Sequence, residues 1–153
     1  MLTALAVAPS DELAARLETR IQQAWAKAGG PAAAMLAARG NRNMQAGAAS
    51  EAVQDFDAAL TLSPDFVDAI GRRAAARYQA GDVGGAFRDL EDAVRREPRN
   101  FAAWRILSGI AEAQGNPAGA LAAWKKLLAV DPRTEGAAKR LRELTRKAEG
   151  EDS

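Results

Sequence analysis

The chemistry open to this chain is limited first by what it lacks. It contains no histidine and no cysteine. Ser-His-Asp and Cys-His catalysis, zinc held by Cys or His, haem held by His or Cys, and disulfides all need one of the two. Carboxylates and guanidinium groups remain. Asp55, Asp57, Asp89, Glu91 and Asp92 recur along two stretches. Two of them facing one cleft about 5–9.5 Å apart would be the acid–base pair of a carboxylate-only hydrolase. A solvated helix face explains them more simply, and no histidine or phosphate-binding loop supports a metal there. Gly81-Asp82-Val83-Gly84-Gly85 is glycine-rich but lacks the Lys-Ser/Thr tail of a phosphate loop, so it reads as a turn. Trp25, Trp104 and Trp124 sit on apolar stripes and read as core. The clearest polar constellation is a repeated one. Arg39 with Asp55 recurs 34 residues later as Arg73 with Asp89, and a further 34 on both are gone together, as Leu107 and Ala123. Groups that come and go in pairs are expected to bond each other across neighbouring helices, or Asp55 to reach Arg73 instead. The role expected is structural: a shielded Arg–carboxylate pair is bidentate and fixes packing.

The elements that must position these groups are helices. Alanine supplies 38 of the 153 residues, and only eight are aromatic. With Leu, Glu, Arg and Gln this is helix-forming composition, short of what strands favour. Twenty-one Lys and Arg against 20 Asp and Glu leave a net charge of +1. A chain living on phosphate contacts carries a basic excess, so no nucleic-acid partner is expected. No apolar run reaches the ~18 residues of a membrane span. The opening Met1 to Ala8 is apolar but lacks a basic n-region. As it stands the sequence reads as soluble and cytoplasmic, with the bacterial periplasm open if a leader was removed.

A period of 34 residues runs through the middle of the chain. Pro64, Pro98 and Pro132 keep it, as do Gly47, Gly81 and Gly115, and Ala52, Ala86 and Ala120. Bulky Phe56, Leu90 and Trp124 follow in step, then Ala59, Ala93 and Leu127; upstream, Leu36, Ile70 and Trp104 and the small Gly40, Ala74 and Ser108 hold the same phase. Each column has a physical job. A glycine after some 14 residues of helical pattern takes positive φ and stops a helix. Asp82 and Asn116 directly follow two of these glycines and can cap the next helix; Pro117 suits its first position, and Ala48 cannot cap. Small residues let two helices approach, the bulky column fills the groove between them, and proline closes the second helix.

These columns resemble the tetratricopeptide repeat (TPR), in a small bacterial type with about three copies. The resemblance covers residues 33–66, 67–100 and 101–134, two thirds of the chain. It departs where the family usually carries large apolar residues: one such column holds Arg39 and Arg73, another Asn43, Arg77 and Ala111. The resemblance implies an all-α, right-handed α-solenoid of helix-turn-helix hairpins. Residues 1–32 are expected as a half-repeat, with Ser10 capping a helix whose stripe is Leu13, Leu17, Ile21, Ala24, Trp25 and Ala28. Residues 135–149 are expected as a capping helix, with 150–153 frayed.

The resemblance also places an inner face on the first helix of each hairpin. Asn41, Met44, Gln45, Asp68, Arg72, Tyr78, Gln79, Arg105 and Glu112 should line it, with Ala34, Ala37, Gly71, Ala75, Ala102 and Gly109 between them. A shallow groove with a few polar arms suits another protein's peptide or helix better than a metabolite. TPRs that grip chaperone tails use Lys, Asn, Asn, Lys and Arg where this chain has Ala37, Asn41, Arg72, Ala102 and Ile106; only Asn41 agrees. The function expected is a non-enzymatic protein–protein interaction module, a scaffold or adaptor, with no cofactor and no metal. A helical-repeat nucleic-acid binder, or a homodimer joined through the outer face, is the alternative.

Overall fold

In the computed structural model, residues 1–150 are described; residues 151–153, the body of the expected frayed tail, lie outside them. The described chain is α-helical with no strand: α1 (Leu2–Ala6), α2 (Asp11–Lys27), α3 (Pro31–Gln45), α4 (Ala49–Leu62), α5 (Val67–Gln79), α6 (Val83–Arg96), α7 (Phe101–Ala113), α8 (Pro117–Val130) and α9 (Ala137–Ala148). It divides into two compact units, residues 22–98 and residues 1–21 with the chain from 99 on.

In the unit of residues 22–98, α3 pairs with α4, α5 with α6, and α4 with α5. The 34-residue columns explain the pairing. Ala52, Phe56 and Ala59 on α4 are fully buried, as are Ala86, Leu90 and Ala93 on α6. Opposite them lie the small residues: Ala74 is fully buried, and a Cβ on Gly40 would stand 2.8 Å from the Phe56 ring. The first core joins Ala33, Ala37, Ala52, Phe56, Ala59, Phe66, Ala69 and Ala76. In the other unit α7 pairs with α8, and α8 with α1 and α9. Ser108 stands in the small column there, and its hydroxyl donates to the Ala120 carbonyl at 2.8 Å.

The three bends are built alike. Gly47, Gly81 and Gly115 have φ of 77°, 94° and 76°. After each, the next backbone N–H closes on a carbonyl five residues back at 2.8 Å: Ala48 to Asn43, Asp82 to Arg77, Asn116 to Ala111. This 6→1 bond with a left-handed glycine is the Schellman stop. Asp82 then accepts from Gly85 N–H and Asn116 from Gly119 N–H, each at 2.9 Å. Ala48 supplies no such bond. Asp82→Ala is expected to lower stability by about 1 kcal/mol, the usual value of a cap, read as the shift of a thermal melt.

Residues 1–32, expected together as a half-repeat, are divided between the two units after residue 21. Ser10 Oγ does accept from Leu13 N–H at 3.2 Å. But α1 lies on α8, and residues 1–21 join the unit that holds the third hairpin rather than the one that holds the first. The buried stripe of α2 is also rotated: Ala14 and Ile21 are buried, while Leu13, expected inside, is 40% exposed and Ala24 and Ala28 are exposed. The stripe therefore carries Glu18, because a helix that buries positions 14 and 21 places position 18 on the same side. At the other end α9 buries Leu144 against its neighbours, and the Trp124 indole N–H donates to the Ala137 carbonyl at 3.2 Å.

Candidate functional site

The polar groups fall into three constellations, two in the unit of residues 22–98 and one in the other. The first is the pair of buried carboxylates. Asp55 and Asp89 are each 5% exposed. Arg39 Nε donates to Asp55 Oδ1 at 2.7 Å, and Asn43 Nδ2 to Oδ2. One hairpin later, Arg73 donates to both oxygens of Asp89, at 3.0 and 2.8 Å, and Arg77 Nη1 adds a third bond at 2.9 Å. Arg73 Nη1 also reaches Asp57 at 3.0 Å, so it spans α4 and α6 from α5. The Asp89 hydrogen bonds outweigh the cost of burial and hold the Arg73 guanidinium above its ordinary pKa. Asp55 takes Arg39 and Asn43; Arg73 turns to Asp57 and Asp89 instead.

Asn43 and Arg77 are the part that sequence reasoning misses, because their column reads only as a loss of bulk. The signal is present: Arg39/Asn43/Asp55 and Arg73/Arg77/Asp89 become Leu107/Ala111/Ala123 together in the third copy. Three columns, not two, change as a set.

The second constellation lies on the expected inner face. Asp68 Oδ2 accepts from Arg72 Nε at 2.9 Å, and Asn41 Oδ1 accepts from Arg72 Nη1 at 3.2 Å. A residue of the first hairpin and one of the second thus hold the guanidinium of Arg72, whose side chain is 36% exposed. Nearby Gln45 and Gln79 are exposed, and Asn41, Met44 and Tyr78 half-buried. Met44 packs partly into the first core.

The third lies around the third hairpin. Arg105 is expected as a groove arm; its Nη2 donates to Glu18 Oε1 of α2 and to Thr134 Oγ1, each at 2.8 Å, with the guanidinium 5.8 Å from the Phe101 ring centroid. Glu112, expected on the same face, takes Arg140 of α9 on both oxygens at 3.0 Å, and Lys147 Nζ at 3.7 Å. The charged ends of both are thus committed within the chain, for a reason outside the repeat pattern: α2 and α9 carry the opposite charges to them. Arg133 adds bonds to the Ala8 carbonyl at 2.8 Å and to Asp11 at 3.0 Å. A cavity of about 610 Å³ lies here, lined by Asp11, Ala15 and Glu18 on α2 and by residues 132–137. Beside it Asp131 is fully buried, with no hydrogen-bond partner for either oxygen and Arg105 Nη2 at 4.0 Å. Burial, reinforced by the Glu18 carboxyl, pushes Asp131 up to about 8 against the pull of Arg105.

Among the described residues no group of three carboxylates is placed to hold a metal ion. No helix among them is long and apolar enough to cross a membrane.

No family model matches the chain. It is 31% identical over 100 residues to a TPR repeat-containing protein of Rhizobium etli, across 65% of this chain and 49% of that one. It is 44% identical over 59 residues to tetratricopeptide repeat protein 36 of Mus musculus, across 39% of this chain and 32% of that one. The chain therefore spans at most about half the length of these curated relatives. Among solved structures it is similar to the Sgt2 TPR domain from Aspergillus fumigatus, with a TM-score of 0.71 at 25% identity over 80% of this chain and 83% of that one. It is similar to the first TPR domain of human RPAP3, with a TM-score of 0.72 at 19% identity over 78% and 94%. Period, turn geometry and likeness agree: the three helix hairpins of this chain have the fold of tetratricopeptide repeats.

Proposed function

We propose that the chain is a non-enzymatic protein–protein interaction module, in which the first helices of the first two hairpins, α3 and α5, hold a peptide or helix of a partner. The observation that carries this is the Asn41–Asp68–Arg72 cluster. Its guanidinium is oriented by two acceptors from two different hairpins and remains part-exposed. A charge already held in place spares the partner the cost of ordering it. The neighbouring structures support the class of action. One is the first TPR of Spaghetti (RPAP3) bound to the HSP90 peptide SRMEEVD, and another the TPR2AB domain of yeast Sti1 in complex with pHSP90. The partner here is a different one: of the five residues that grip a chaperone tail only Asn41 has its counterpart, and Ala37, Ala102 and Ile106 offer no charge.

Arg72→Glu tests the reading. Reversing this charge leaves the buried columns untouched, and it sets a carboxylate beside Asp68. It is expected to cut capture of the partner from lysate of the source cell at least tenfold. It also leaves Asp68, with a side chain 7% exposed, without its arginine. Capture is therefore compared with that of Asp68→Asn, which loses the same pair but keeps the positive charge, at a temperature where circular dichroism shows all versions folded. Equal capture by Arg72→Glu and the unaltered protein overturns the assignment of this face.

A further inference from the structure

The surface of the third hairpin that faces residues 1–21 is covered by a helix of the chain itself, and the manner of covering is informative. Asp11 and Glu18 are seven residues apart, two turns along one face of α2. Each meets an arginine from the distant end of the chain: Asp11 meets Arg133 at 3.0 Å and Glu18 meets Arg105 at 2.8 Å. Between them Ala14 and, beyond, Ile21 are buried, and Leu5 of α1 is buried completely. The seam is nevertheless not sealed like a core. The cavity of about 610 Å³ lies along it, and Asp11 is 80% exposed. A segment held by charge pairs over a partly filled seam can be exchanged for a better-fitting one, whereas a close-packed seam resists exchange.

We propose that this face of the third hairpin is a docking site for an amphipathic helix of another protein with acidic residues seven apart, and that residues 1–21 are its built-in competitor. The proposal rests on the reading of the chain as a protein-binding module and names the chemistry of the partner. Arg133 and Arg105 read the two carboxylates, and the apolar positions between and just beyond them enter the space Ala14 and Ile21 now fill. Tethering makes binding of the resident segment intramolecular, which raises its effective concentration over that of a free competitor. A partner must exceed that, so free chain holds the site closed.

The test uses a fluorescein-labelled peptide of residues 1–21, titrated into the full chain and followed by anisotropy. Glu18→Arg in the full chain, made together with Asp131→Asn so that the new guanidinium finds no buried carboxyl to pair with, sets two guanidinium groups against each other and weakens the resident segment, while Arg105 and Arg133 are unaltered. The doubly substituted chain is expected to bind the peptide at least tenfold more tightly than the unaltered chain does. A peptide carrying Glu18→Arg is expected to lose that binding. The chain has no cysteine, so a spin-label pair at Ala15→Cys and Glu135→Cys reports the seam directly. The interlabel distance should be short in the free chain and should lengthen when excess peptide is added. Equal peptide binding by both chains overturns the proposal, as does no binding by a doubly substituted chain that retains its circular dichroism and melting transition. If Arg72→Glu abolishes partner capture while either of those outcomes holds, the module reading stands and only this site falls.

Discussion

Asp89→Ala is expected to lower stability by about 2–3 kcal/mol. The size follows from what it leaves behind. Asp89 is 5% exposed and accepts three hydrogen bonds from two arginines. Removing one partner of a buried charge pair costs about 3–5 kcal/mol, because the other charge remains buried. Here the arginine side chains are 20% and 24% exposed, and Arg73 keeps Asp57, so part of that cost is recovered through water and the remaining carboxylate. The decisive control is the triple variant Arg73→Leu, Arg77→Ala, Asp89→Ala, which copies the third hairpin's own Leu107, Ala111 and Ala123. Replacing a whole buried ionic group by apolar side chains is often neutral or stabilising. Urea unfolding should therefore place the triple variant close to the unaltered protein and the single variant well below it. If the single variant unfolds at the same urea concentration as the unaltered chain, Asp89 is not the keystone of its hairpin.

Asp131→Asn is expected to stabilise the protein at neutral pH and to flatten its dependence on pH. Asp131 is fully buried and held up to about 8, first by burial and then by the Glu18 carboxyl, with Arg105 opposing. In the unfolded chain an aspartate titrates near 3.9. Below that value both states carry the proton and nothing is lost. Between roughly 4 and 8 the unfolded state releases its proton while the folded state must keep it, so stability falls as pH rises. Above about 8 the loss is complete and flat. Asparagine is neutral in both states and removes that slope. Each pH step of one across this interval costs the unaltered protein at most about 1.4 kcal/mol. Arg105 and water drawn into the neighbouring cavity relieve part of that cost. The gain from asparagine should therefore be small near pH 4 and reach on the order of 2 kcal/mol by neutrality. For a chain of this length that is a rise of about 4–8 °C in melting temperature. Melts of both proteins from pH 4 to 8.5 check it; parallel curves would show that Asp131 does not titrate with folding.

Both predictions concern charges under cover, and they differ in how legible they are in the sequence. The Arg73–Asp89 pair stands in columns that repeat, so its presence in two copies and its joint loss in the third announce it. Arg77 and Asn43 stand in the same pattern and are readable from it; they escape notice because a polar residue in a usually apolar column looks like a defect until its partner is seen. Asp131 follows a different logic. Its column holds Ser63 and Glu97 in the other copies, and nothing in that column marks the third residue as buried. Only the placement of Glu18 and Arg105 beside it does so.

The residues by themselves determined the helices, their caps, the three glycine stops and the small-against-bulky packing of each hairpin. All of these are interactions within about 34 positions, and a repeated sequence states them three times over. Tertiary structure alone decided that Glu18 meets Arg105 across 87 positions, that Arg133 holds Ala8 and Asp11, and that Arg140 takes Glu112. Such contacts occur once, between segments with no period, and depend on where the ends of the chain come to rest. A translationally repeated pattern carries no record of that, because each copy specifies only its own fold and its fit to the next.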